Sequence, residues 1–143
     1  MIRIEKLLAA VTALGIAAAC SDKGTGPVPP GPPPPASPPL SGVVVALATP
    51  NSNDGAAIVT LTGPDVGTIQ PADSHYVVFS RASGQDLHVI VVGNLSAGPL
   101  FTAKISGTHT LSAYSGSIQQ VATRGDSVLG SLSGYQVTVG ASP

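Results

Sequence analysis

Apolar residues are distributed in three distinct ways along this chain. Residues 7–19 form an almost unbroken apolar run, Leu-Leu-Ala-Ala-Val-Thr-Ala-Leu-Gly-Ile-Ala-Ala-Ala. Residues 24–39 contain Val28 and Ala36 and are otherwise proline, glycine, serine and threonine. From residue 40 onward the apolar positions come in short clusters rich in Val, Ile and Thr, separated by Gly, Asn, Asp and Ser. β-branched residues suit a pleated, half-buried strand, and the intervening residues are turn formers. The clusters predict strands over 42–49, 57–62, 66–70, 75–80, 85–93, 99–105, 118–123, 127–132 and 135–139. In the fifth of these, Leu87, Val89 and Val91 share one face and His88 points the other way. In the sixth, Phe101, Ala103 and Ile105 lie opposite Leu100, Thr102 and Lys104. Arg81-Ala-Ser-Gly84 reads as a hairpin connection. No stretch after residue 40 carries a 3.6-residue period. Short, numerous strands with turn signals between them predict an all-β fold, a single β-sandwich of about eight or nine strands, with minimal helix.

The 143 residues include 14 prolines, nine of them between Pro27 and Pro39. Proline fixes φ and lacks an N–H, so this stretch can join neither helix nor sheet ladder and is expected to be an extended polyproline II spacer. The organisation read from composition is a signal segment over 1–19, a proline-rich linker over 20–41 and a β-sandwich domain over 42–140. Charge is sparse in the domain: Arg81, Lys104 and Arg124 stand against Asp54, Asp65, Asp73, Asp86 and Asp126. No basic stripe is present, so the sequence offers no electrostatic footprint for nucleic acid.

The N-terminal run changes this picture most. Arg3 and Lys6 precede it, Cys20 ends it, and Ser21-Asp22-Lys23 follows at once. The run is shorter than the ~20 apolar residues that cross a bilayer, and small side chains at Ala17, Ala18 and Ala19 lead to the cysteine. These residues resemble the lipobox signal of bacterial lipoproteins. The resemblance implies cleavage between Ala19 and Cys20, covalent lipid on the Cys20 sulfur, and a membrane anchor on the extracytoplasmic side of the cell envelope. Ser21 resembles the residue found in lipoproteins passed on to an outer membrane, where one exists. The family places Leu three positions before the cysteine and this chain has Ala17, which leaves cleavage after one of the alanines open. Cys20 is the only cysteine, so the mature chain can form no internal disulfide and must hold by packing.

Candidate chemistry in the domain is thin. Gly125-Asp-Ser-Val-Leu129 is similar to the nucleophile block of GDSL-type esterases, but that block opens its domain and is followed by a paired Asp and His. Here His75, His88 and His109 all precede it, so a strand-connecting turn is expected instead. Arg124-Gly125-Asp126 is ordinary turn chemistry as well as an adhesion tripeptide. Asn51-Ser-Asn-Asp-Gly55 starts like a calcium loop with the spacing off by one, leaving a weak surface site around Asp54 as an option. Three scattered histidines do not have metal-ligand spacing. Of the five aromatic residues, Tyr76, Phe79, Phe101, Tyr114 and Tyr135, most sit in strand patterns where core packing is the default, and Tyr114 is the one most expected to be exposed. No catalytic, cofactor-binding or metal residues are assigned.

Asp54-Gly-Ala-Ala-Ile-Val-Thr-Leu-Thr-Gly-Pro-Asp-Val-Gly67, Gly84-Gln-Asp-Leu-His-Val-Ile-Val-Val-Gly93 and Ser96-Ala-Gly-Pro-Leu-Phe-Thr-Ala-Lys-Ile105 follow in an order that resembles cohesin-like bacterial sandwich modules. That resemblance implies an exported binding or scaffolding domain and carries over no binding residue. The expectation is a non-enzymatic, lipid-anchored envelope protein with an envelope protein or polysaccharide as partner and no cofactor beyond the lipid. A small secreted serine-type hydrolase and a structural envelope-assembly protein are the rival expectations.

Overall fold

The structure is a computed structural model that describes residue 31 and residues 39–143. The chain divides into two units, Met1–Pro35 and Ala36–Pro143. Eight strands build the second: β1 (Gly42–Ala48), β2 (Asp54–Thr62), β3 (Val66–Pro71), β4 (Val77–Ser83), β5 (Asp86–Leu95), β6 (Gly98–Ile105), β7 (Ser115–Thr123) and β8 (Gln136–Ala141). A 3-10 turn over Leu111–Ala113 is the one helical element among the described residues.

The strands form two four-stranded antiparallel sheets, ordered β3-β6-β1-β8 and β4-β5-β2-β7. They pack as an all-β sandwich, as the alternation of apolar and polar residues predicts. The inner faces meet through Val43, Val45 and Leu47 of β1, Ala57, Val59 and Leu61 of β2, Leu87, Val89 and Val91 of β5, and Phe101, Ala103 and Ile105 of β6, all buried. Each sits two residues from the next because side chains alternate across a strand. Leu100 breaks that rule: it and Phe101 are both fully buried. Val45 pairs with Phe101 and Ala46 with Pro99, so Leu100 is an extra residue in β6, and the bulge turns two successive side chains inward.

Only one of the seven connections stays within a sheet, the β4–β5 hairpin; every other one crosses to the opposite sheet. The hairpin turn is Gly84-Gln85 alone, because Arg81, Ala82 and Ser83 continue β4 and Ser83 pairs with Asp86. Gly84 has φ +65°, as the first central position of a two-residue hairpin turn requires. The four-residue connection expected over 81–84 is thus shorter than its sequence suggests.

The strand expected over 127–132 does not form. Asp126 takes the left-handed conformation (φ 57°) and turns the chain back, leaving a single bridge between Val128 and Ala122. Thr123 N donates to Ser127 O, closing the turn. Gly125-Asp-Ser-Val-Leu129 and Arg124-Gly125-Asp126 are therefore turn structure at the end of β7.

Candidate functional site

Pairing register places the outward side chains of the β4-β5-β2-β7 sheet in rows. Val77, Val92, Ala56 and Ala122 form one row; Phe79, Ile90, Ile58 and Gln120 form the next. Arg81, His88 and Thr60 begin a third, polar row. Apart from Gln120, the first two rows are apolar although they face solvent: Val77 is 53% exposed, Phe79 60%, and Ile90 and Val92 40% each. Val128, paired back onto Ala122, adds a further exposed apolar side chain at the β7 side. A depression of about 370 Å³ opens among Ile58, Phe79, Ser80, Arg81, His88 and Ile90. Large contiguous exposed apolar patches are uncommon on monomers; here the exposed apolar side chains are neighbours in the pairing register.

The strand pattern makes core packing the default for Phe79, and Tyr114 is the aromatic most expected at the surface; the structure has Phe79 exposed and Tyr114 buried. Tyr114 is 6% exposed, its hydroxyl donates to Pro64 O at 2.9 Å, and its ring lies on Gly63, where any Cβ would come within 2.2 Å. The sequence does carry a legible sign of the outer face. In Leu87-His-Val-Ile-Val-Val92 the inward positions 87, 89 and 91 are apolar, and so are the outward positions 90 and 92. A one-sided strand alternates with polar residues; this one does so only at His88.

The polar groups form several separate arrangements. Asp54 is fully buried and its carboxylate accepts from Thr49 Oγ1 (2.6 Å) and Tyr135 Oη (2.8 Å), while Asn51 Nδ2 donates to Tyr135 Oη (2.7 Å). These bonds tie the β1–β2 connection to the start of β8. Asp54 is thus buried rather than at the surface where the polar turn suggests it, and no group of three potential metal ligands occurs among the described residues. Burial raises the Tyr135 phenol above the ordinary value, with the Asp54 carboxylate adding to it, while hydrogen bonds from Thr49 and Asn51 oppose. Burial likewise raises Tyr114, with the Asp65 charge contributing.

The histidines are spread apart. His75 lies in the β3–β4 connection, where its backbone N–H donates to Asp73 at 2.8 Å and its Nδ1 lies 2.7 Å from the same oxygen. The backbone bond foremost, then the ring, holds the Asp73 carboxyl below its usual range. His109 Nε2 is 2.9 Å from Asp65, and its ring meets Tyr114 edge-on at 6.2 Å. His88 is exposed, as its strand position predicts, with Nδ1 3.0 Å from Thr60 Oγ1. That is a hydroxyl–imidazole contact, but no carboxylate among the described residues bonds to the ring's other nitrogen, and none of the three histidines bonds to a serine. The arrangement of an activated nucleophile is not assembled around any of them.

Cys20 and Ala19 lie outside the described residues. No helix among the described residues is long and apolar enough to cross a membrane. No protein-family model matches the chain, and no curated protein and no solved structure matches it.

Proposed function

We propose that this chain is a non-enzymatic, lipid-anchored envelope protein that presents its β-sandwich as a binding or scaffolding module on a proline-rich stalk. The observation that carries the binding role is the exposed apolar face around Phe79, Ile90, Val77 and Val92. A face of this composition, with Arg81 and His88 at one end, suits an apolar patch on an envelope protein better than a sugar, which needs polar partners and more than one ring. The anchor is supported by the layout ending at Cys20, and the stalk by the prolines between it and the domain. Acyl chains contribute about 0.8 kcal/mol per buried methylene, so more than one chain makes attachment durable.

Metabolic labelling with a palmitate analogue is expected to tag the wild-type chain and not Cys20→Ala; equal labelling of the two removes the anchor. For the binding role, the full chain with Phe79→Ser and Ile90→Ser is expected to lose envelope proteins that the wild type captures. Unchanged capture would place the binding surface elsewhere.

A further inference from the structure

The sandwich has four edge strands, β3 and β8 in one sheet and β4 and β7 in the other. Natural sheets protect such edges with bulges, prolines, charges or covering chain, because unpaired N–H and C=O groups template further pairing. β3 ends in Pro71 and carries a register shift against β6. β7 carries two shifts against β2, and Val128 bridges back onto its end. β8 is a six-residue strand ending in Val-Gly-Ala. β4 is longer, at seven residues, and contains no proline or glycine. It pairs with β5 in unbroken register, and all of it except Val78 is exposed. Even Ser80 and Ala82, on its inner side, are exposed, so the opposite sheet leaves this ribbon uncovered.

The hairpin fixes which backbone groups of β4 are free. In a two-residue hairpin the pair closing the turn exchanges both hydrogen bonds, and pairs then alternate along the ladder. Ser83–Asp86 closes this turn, so Ser83, Arg81, Phe79 and Val77 bond to β5. Val78, Ser80 and Ala82 then aim their N–H and C=O groups away from the sheet, and among the described residues no backbone group outside the strand ladders bonds to them.

We infer that β4 pairs antiparallel with β4 of a second copy of this chain, centred on Ser80, joining two sandwiches into one continuous eight-stranded sheet. This register overlaps the entire strand: Ser80 faces Ser80, Val78 faces Ala82 and Val77 faces Ser83 of the other copy. The three free residues of each copy meet one another in about six hydrogen bonds. Arg81 is the only charge on β4, and it does not face itself. It lies opposite Phe79 of the other copy, twice over by symmetry, on the solvent face where a guanidinium can sit on the ring. No like charges are opposed, so the strand is complementary to its own reverse. The proline-rich residues 27–39 cannot supply the missing ladder, because proline has no N–H to donate. An edge contact between seven-residue strands buries less than the ~1,200 Å² of a standard interface, so the dimer is a weak, concentration-dependent one. Its effect is to place two apolar faces side by side in one sheet. The pairing does not depend on acylation.

The test uses the full chain with Cys20→Ser, so that an introduced thiol is the only one. In this background Ser80→Cys is expected to give a covalent dimer with a short bifunctional thiol reagent, because residues facing across such a pair have Cα atoms ~5.5 Å apart. Ala82→Cys puts the two thiols four strand positions apart, about 14 Å, and is expected to cross-link at least ~10-fold less. Sedimentation from about 10 μM to about 1 mM is expected to show a monomer–dimer equilibrium, shifted to monomer by Ser80→Pro, which removes only an edge-facing N–H. A chain that stays monomeric throughout, or equal cross-linking at positions 80 and 82, overturns the proposal. Should Ser80→Pro fail to fold, the position dependence of cross-linking decides alone.

Discussion

The carboxylate of Asp54 has no access to solvent, and hydroxyls from Thr49 and Tyr135 take the place of water around it. A buried charge is tolerable only when its acceptor sites are filled, and removing one donor leaves the rest of the group to bear the desolvation cost. Tyr135→Phe keeps the ring and deletes both the bond to Asp54 and the acceptor for Asn51. It is expected to lower unfolding stability by about 1–3 kcal/mol, measured by urea denaturation; a change within experimental error would mean water enters and replaces the hydroxyl. The sequence shows Asn51-Ser-Asn-Asp-Gly55 as a polar turn and therefore suggests a solvated acid. What it hides is Tyr135, 81 residues away, because a long-range hydrogen bond leaves no local pattern.

Among the elements, those whose residues alternate are legible and those shaped by special backbone are not. β1, the inner face of β5, and β6 apart from its bulged Leu100 follow from period-two clusters, since each buries one face against the opposite sheet. Val128, Leu129 and Leu132 resemble a further strand, but the left-handed Asp126 turns the chain away before them, and only Val128 pairs. Tyr114 belongs to the same class: its exposed setting in Ser-Ala-Tyr-Ser-Gly-Ser is a local reading, and Gly63, just beyond β2, makes the room for its ring. Gly63→Ala would place a methyl 2.2 Å from Tyr114 Cδ1, so ring and backbone must part. The expected cost is about 1–3 kcal/mol, read as a lowered thermal midpoint, together with a changed near-ultraviolet tyrosine signal; an unaltered midpoint would show that the chain after β2 yields without loss.

For the whole molecule, the all-β class was legible because every core strand repeats the same code, whereas the sheet order was not. Six connections that cross between sheets look, in sequence, like any other turns. The two phenylalanines make the distinction between core and surface measurable. Phe101 is fully buried and Phe79 is 60% exposed. Phe101→Ala is expected to cost about 3–5 kcal/mol, and Phe79→Ser about 0.5 kcal/mol or less, by equilibrium unfolding at low protein concentration. Equal losses would mean that Phe79 is covered in the free chain, and the face it marks would no longer be available to a partner.

The crossing connections also govern how the chain reaches this state. A ladder joined by a two-residue turn closes a small loop, but a ladder between strands distant in sequence must first overcome the entropy of bringing them together. Among the described strands β4 and β5 are the only sheet neighbours that are also consecutive in the chain, and β4 is the strand with the least to bury. The pairs that build the core, β1 with β6 and β8, and β2 with β5 and β7, each close a loop spanning other strands. Folding is therefore expected to be limited by forming these non-local pairs rather than by growth from the hairpin, and stopped-flow refolding is expected to fall in the ~millisecond-to-second range of non-local folders.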